Sequence, residues 1–112
     1  MAIPDVTVLR NGRVVAPIGE LDADVYLGGG KILGVGSMPE YDREARTIDV
    51  RGQYVVPGFI DGHVHLREMC NSDREDFYTG TQAAAVGGIT TVMDMPNSDP
   101  KTPGFVIVNV PP

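Results

Sequence analysis

The sequence predicts an α/β chain in two parts: short strands and turns over residues 1–56, then a strand–helix–strand unit from Pro57. Three observations carry that expectation. β-Branched runs in the first half are punctuated by Asn11-Gly12, Gly28-Gly29-Gly30 and Arg51-Gly52. A small-residue helical stretch then lies between two further β-prone runs. The whole strand–helix–strand pattern occupies about thirty-five residues, the length of one βαβ unit.

The elements follow in order. Val6-Thr7-Val8-Leu9 and Arg13-Val14-Val15-Ala16 flank Asn11-Gly12, which predicts a hairpin turn there because both residues tolerate positive φ. Asp24-Val25-Tyr26-Leu27 and Lys31-Ile32-Leu33-Gly34-Val35 flank the three glycines in the same way. Residues 37–46 are polar and read as a loop, and Thr47-Ile48-Asp49-Val50 as another strand. Residues 1–56 are therefore expected to form a small antiparallel β unit whose open edges need partner strands.

After Pro57-Gly58 a strand is expected over 59–66. Ser72 with Glu75 three positions on fits a capping box, so the helix is expected over 73–86. Phe77, Thr81, Ala84 and Ala85 would share its sheet-facing side. Gly87-Gly88 supplies the left-handed stop, and residues 89–93 form the second strand, closed by Pro96. Parallel strands joined by a right-handed crossover follow. Such a unit is stable only as part of a larger α/β sheet or barrel.

Composition narrows the function classes. Hydrophobic residues at 42% and charged residues at 21% of 112 are ordinary for a folded domain, so disorder is not the expectation. A net charge of −6 without a basic stripe argues against nucleic-acid binding. No apolar run reaches the ~20 residues of a membrane span, and no secretory signal pattern opens the chain. A single cysteine, Cys70, excludes an internal disulfide and fits a reducing cytoplasm.

The chemistry concentrates in Pro57-Gly-Phe-Ile-Asp-Gly-His-Val-His-Leu-Arg-Glu68. Strand alternation would place Asp61, His63, His65 and Arg67 on one side, with Ile60, Gly62, Val64 and Leu66 packing under a helix on the other. Two imidazoles two residues apart can converge on one cation, each through a neutral nitrogen. Two ligands do not hold zinc at catalytic affinity, so other segments must supply more. Arg67 suits a carboxylate-bearing substrate, and Asp61 suits a role buttressing the strand. Asp94, Asn97, Ser98 and Asp99 follow the second strand on the same predicted face. Asn97 there is either a substrate-orienting carboxamide or part of an Asn-Ser-Asp-Pro turn. Cys70 has no base in sequence context and is not expected to be a nucleophile.

"VVPGFIDGHVHLRE" together with "REDFYTGTQAAAVGGITTVMDMPNSDP" resembles the amidohydrolase superfamily, and within it the cyclic amidohydrolases of the dihydroorotase kind. The resemblance runs from Asp5 to about residue 102 and includes "VLRNGRVV", "GGGKILGVG" and "TIDVRGQYVVPG". It implies that His63 and His65 are metal ligands, that Arg67 and Asn97 bind the substrate carboxylate, and that the cofactor is one or two Zn²⁺ ions. Hydantoinase-like relatives usually lack that arginine, and allantoinase-like relatives usually break Met95-Pro96-Asn97. Met69-Cys70 departs from the family, which usually has Pro-Gly after the Arg-Glu pair.

The implied fold is a (β/α)8 TIM-type barrel beside a small β domain. Residues 1–56 would be the N-terminal share of that domain, 57–103 the first βαβ unit of the barrel, and 104–112 a tail that departs from the family. The implied reaction is zinc-dependent reversible ring opening of dihydroorotate to carbamoyl aspartate, in pyrimidine biosynthesis. A barrel takes roughly 250 residues, so this chain is expected to be an inactive fragment with the barrel incomplete. Its proton-shuttling aspartate, bridging lysine carboxylate and further histidines would lie elsewhere. A homo-oligomer or a complementing chain would then be the partner. Other expectations are an allantoinase or hydantoinase, a non-catalytic scaffold homologue, and a small β-rich binding domain with an extra strand over 105–110.

Overall fold

The computed structural model describes residues 5–43, 45–68, 72–96 and 106–110. They fall into two compact units, Met1–Pro57 and Gly58–Pro112.

The first unit is a sheet built around one long strand. β1 (Val6–Ala16) pairs antiparallel with β2 (Gly19–Gly28), which pairs antiparallel with β3 (Lys31–Val35). The β2–β3 turn is Gly29-Gly30, with φ of 57° and 72°, as a two-residue primed turn requires. A short helix, α1 (Pro39–Asp42), interrupts the segment expected to be loop. β4 (Arg46–Asp49) and β5 (Tyr54–Val55) then line the other edge of β1, both parallel to it. The unit is therefore antiparallel over three strands and parallel at two, a correction to the all-antiparallel expectation. The 36–45 connection carries the chain across to the far edge of β1, which a tight hairpin cannot do.

Asn11-Gly12 is not a turn. β1 runs straight through it, and the β1–β2 turn is Pro17-Ile18. Register passes from Leu9↔Val25 to Gly12↔Ala23, so Arg10 and Asn11 together oppose Asp24 in a β-bulge. Asn11 takes the left-handed conformation, φ 59°, and its N–H donates to Asp24 Oδ1 at 3.0 Å. The extra residue switches the face that β1 buries. Val6 and Val8 pack with Tyr26, Leu33, Met38, Tyr41 and Ala45, whereas Gly12 and Val14 pair with Ala23 and Leu21 on the side of buried Val25. A Cβ on Gly12 would sit 2.8 Å from Val55 Cγ2, which is why glycine stands there.

Beside the first core lies an ionic cluster. Arg10 donates to Asp24 at 2.6 Å and to Asp42 at 2.7 Å, and Asp42 also accepts the buried Tyr26 hydroxyl at 2.7 Å. The Tyr26 hydroxyl, and then Arg10, hold the Asp42 carboxyl below the usual carboxylate range.

The second unit is a three-stranded sheet with one helix. β6 (Phe59–Val64) and β7 (Ile89–Asp94) are parallel and joined through α2 (Phe77–Val86), which packs on β7. β8 (Val106–Asn109) pairs antiparallel with the other edge of β7. Helix α2 starts four residues later than its expected boundary. Its N-cap is Asp76, whose side chain accepts from Thr79 N–H at 2.7 Å while the Thr79 hydroxyl takes the Asp76 N–H at 3.1 Å. Ser72 and Glu75 lie before it in turn and coil. Gly80 and Thr81 are its buried positions, Ala84 is half-buried, and Ala85 faces solvent. Gly88, φ 77°, is the left-handed stop.

Candidate functional site

The site residues stand at the end of β6, where the strand is irregular. Register passes from Asp61↔Val92 to Val64↔Asp94, so Gly62 and His63 together oppose Met93 in a second bulge. Strict alternation over 61–67 is thus broken. Asp61 shares the face of Val64, Val92 and Asp94, and joins Val64, His65 and Val92 around a groove of about 300 Å³ beside α2. Ile60, expected under the helix, is 65% exposed. Leu66 is buried as expected, seated against Gly80, where a Cβ would collide with it.

His63 and His65 do come together. Both imidazoles are exposed, with ring centres 5.3 Å apart in an edge-to-face arrangement at 72°. Two imidazoles bound at ~2.0–2.1 Å to one tetrahedral ion have ring centres about 5 Å apart, so the spacing fits a shared cation. Among the described residues no third histidine, cysteine, aspartate or glutamate completes a metal cluster.

Two carboxylates hold the backbone that carries these rings. Asp61 Oδ1 accepts the N–H of His63 at 3.0 Å, a group the bulge takes out of the regular ladder. Asp94 Oδ1 accepts the N–H of Leu66 at 2.7 Å, and Asp94 is 5% exposed. Between them, Val64 C=O accepts Met95 N–H at 2.8 Å. Glu68 Oε2 accepts the N–H of Phe77 at 2.8 Å, tying the segment beyond Arg67 to the first turn of α2. Asp61 is thus a buttress, as its position suggested. The Asp94 bond to Leu66 was not foreseen; its signal was a carboxylate ending a β-branched strand. Arg67 is half-buried. Asn97, Cys70, Ser98 and Asp99 lie outside the described residues.

Comparison with known proteins follows the same residues. The Dihydro-orotase-like family matches residues 52–104. A dihydroorotase from Anaeromyxobacter dehalogenans (strain 2CP-C) is 43% identical over 98 residues, 86% of this chain and 23% of that protein. One from Streptococcus pyogenes serotype M1 is 44% identical over 95 residues, 83% of this chain and 22% of its own length. The chain belongs to the amidohydrolase superfamily, close to dihydroorotase.

Solved structures of this superfamily extend the likeness to the fold. The L-hydantoinase (dihydropyrimidinase) of Arthrobacter aurescens superposes with a TM-score of 0.71 at 37% identity, covering 84% of this chain and 21% of that one. A D-hydantoinase from Bacillus sp. AR9 gives 0.71 at 35%, covering 86% and 21%. The chain therefore spans about a quarter or less of the length of the relatives it matches.

Proposed function

We propose that this chain is the N-terminal part of a zinc-dependent dihydroorotase, which opens the dihydroorotate ring reversibly to carbamoyl aspartate in pyrimidine biosynthesis. The observation that supports it most is the His63–His65 pair, 5.3 Å between ring centres on a bulged strand end, followed at once by Arg67. In this reading 57–103 is the first βαβ unit of a (β/α)8 barrel, 1–56 its share of a small β domain, and 104–112 a divergent tail. The strand end carrying His63 and His65 would face the active site, as C-terminal strand ends do in such barrels. A cytoplasmic, soluble enzyme fits the lone cysteine.

His63 and His65 would hold zinc, which when bound polarises the ring carbonyl and supplies a nucleophile at neutral pH. Arg67 and Asn97 would grip the substrate carboxylate, fixing the ring against the metal side of the strand end. Asp61 would keep the His63 backbone in its bulge. The sequence has two histidines in all, so further histidine ligands would come from outside these residues, and in this reading the proton-shuttling aspartate belongs to later barrel strands. The chain alone is therefore expected to be inactive, and to bind Zn²⁺ more weakly than micromolar.

A hydantoinase is the second reading, favoured by the superposition on the two hydantoinases. A chimera joining residues 5–103 to the remaining barrel of the Anaeromyxobacter dihydroorotase separates the two. Ring opening of dihydroorotate, with KM raised roughly 10–100-fold by Arg67→Ala or Asn97→Ala, is expected from loss of a charge-assisted bond. Activity on hydantoin alone, untouched by either substitution, would overturn the dihydroorotase assignment.

A further inference from the structure

We propose that Asp94 is a positioning residue whose buried carboxylate fixes the backbone of residues 65–67 and so sets the aim of both His65 and Arg67. The inference deepens the proposed metal site and rests on that reading for its metal-binding consequence.

The ladder between β6 and β7 is already disturbed at Gly62–His63, and Val64 is the last residue of β6. Met95 N–H to Val64 C=O ties that last residue to the segment after β7. Leu66 lies beyond the strand, yet it is buried at 5% exposure. Its N–H meets Asp94 Oδ1 at 2.7 Å. Leu66 is flanked by His65 and Arg67, so a bond on its amide anchors the two neighbouring Cα positions at once. An apolar residue at 94 would fill the space but leave that N–H without this acceptor. Asp61 performs the matching task on His63 from the same face of the sheet. Groups hydrogen-bonded directly to metal-ligating histidines typically change metal affinity 10–100-fold when removed, and Asp94 acts on His65 through the adjoining Leu66 amide.

The test uses the 112-residue chain, with amide exchange at Leu66 and a Zn²⁺ titration followed on the His63 and His65 imidazole resonances. Asp94→Ala is expected to speed Leu66 exchange and weaken Zn²⁺ binding, each roughly tenfold or more, with the α2 helix signal retained. Asp94→Asn keeps an acceptor oxygen and is expected to preserve both. The proposal is overturned if D94A changes neither quantity, or if D94N loses zinc affinity as far as D94A while Leu66 stays protected. Should D94A fail to fold, the wild-type chain still decides: a Leu66 amide exchanging as fast as an open loop contradicts the anchor. Replacing both histidines with alanine checks the metal reading separately. Unchanged Zn²⁺ affinity in that variant sinks the metal pair, while Leu66 exchange continues to decide the role of Asp94.

Discussion

Asn11 and Gly12 divide two physical demands between them. Asn11 provides the left-handed conformation of the bulge, and Gly12 gives up a side chain so that Val55 and Val50 can close over the strand. Gly12→Ala should therefore cost about 1–3 kcal/mol from overpacking, read as a lower urea midpoint, and Val55→Ala should recover part of it in the double variant. Independent, additive losses in the two single variants would contradict that contact. The same dipeptide explains why the hairpin expected from the sequence is absent. Positive φ is shared by turns and bulges, and only the position of Asp24 across the sheet decides between them. His63 and His65 were legible because their spacing is local. The groups that hold them were less so, since Asp94 lies twenty-eight residues from Leu66 and its bond depends on strand register.

Helix α2 illustrates the same limit for a whole element. Its existence was plain from the small-residue run and Gly87-Gly88, but its start was not, because Ser72-x-x-Glu75 and Asp76-x-x-Thr79 both resemble capping boxes. The second is used: Glu68 caps the Phe77 N–H, and Glu75 turns to the groove near Gly80. The backbone N–H of Thr79, then its hydroxyl, holds the Asp76 carboxyl below the usual range. A depressed carboxyl adds stability above its unfolded pKa and loses it as pH falls through the folded value, so helix content should hold above about pH 4 and decline below it. Asp76→Ser keeps a cap without that titration and should flatten the acid limb. An unchanged acid limb in D76S, followed by far-ultraviolet circular dichroism, would assign it to other groups. Gly80→Ala should push Leu66 off the helix and lower the thermal midpoint of this unit, whereas the solvent-facing Ala85→Gly should act only through helix propensity, about 1 kcal/mol.

Among the described residues, more large apolar side chains are exposed than buried. The buried hydrophobics among the described residues are Val6, Val8, Val14, Val25, Tyr26, Leu66 and Val92, while Ile18, Ile32, Phe59, Ile60, Tyr78 and Val86 are more than half exposed. Cores this small leave little cooperativity, and calorimetry of the 112-residue chain should show a weak, broad transition; a sharp one would mean that the unit cores suffice. The strand–helix–strand order was legible because hydrophobic period changes from two to helical and back. The mixed pairing of the first unit was not, because β4 and β5 find their partner only through a long connection. Zinc content measured on the purified chimera, alongside its ring-opening rate, decides whether His63 and His65 hold the metal as proposed. Stoichiometric zinc that falls by at least about half, together with loss of activity, is predicted when both histidines become alanine. Full zinc content and full activity in that variant would contradict the assignment of the pair.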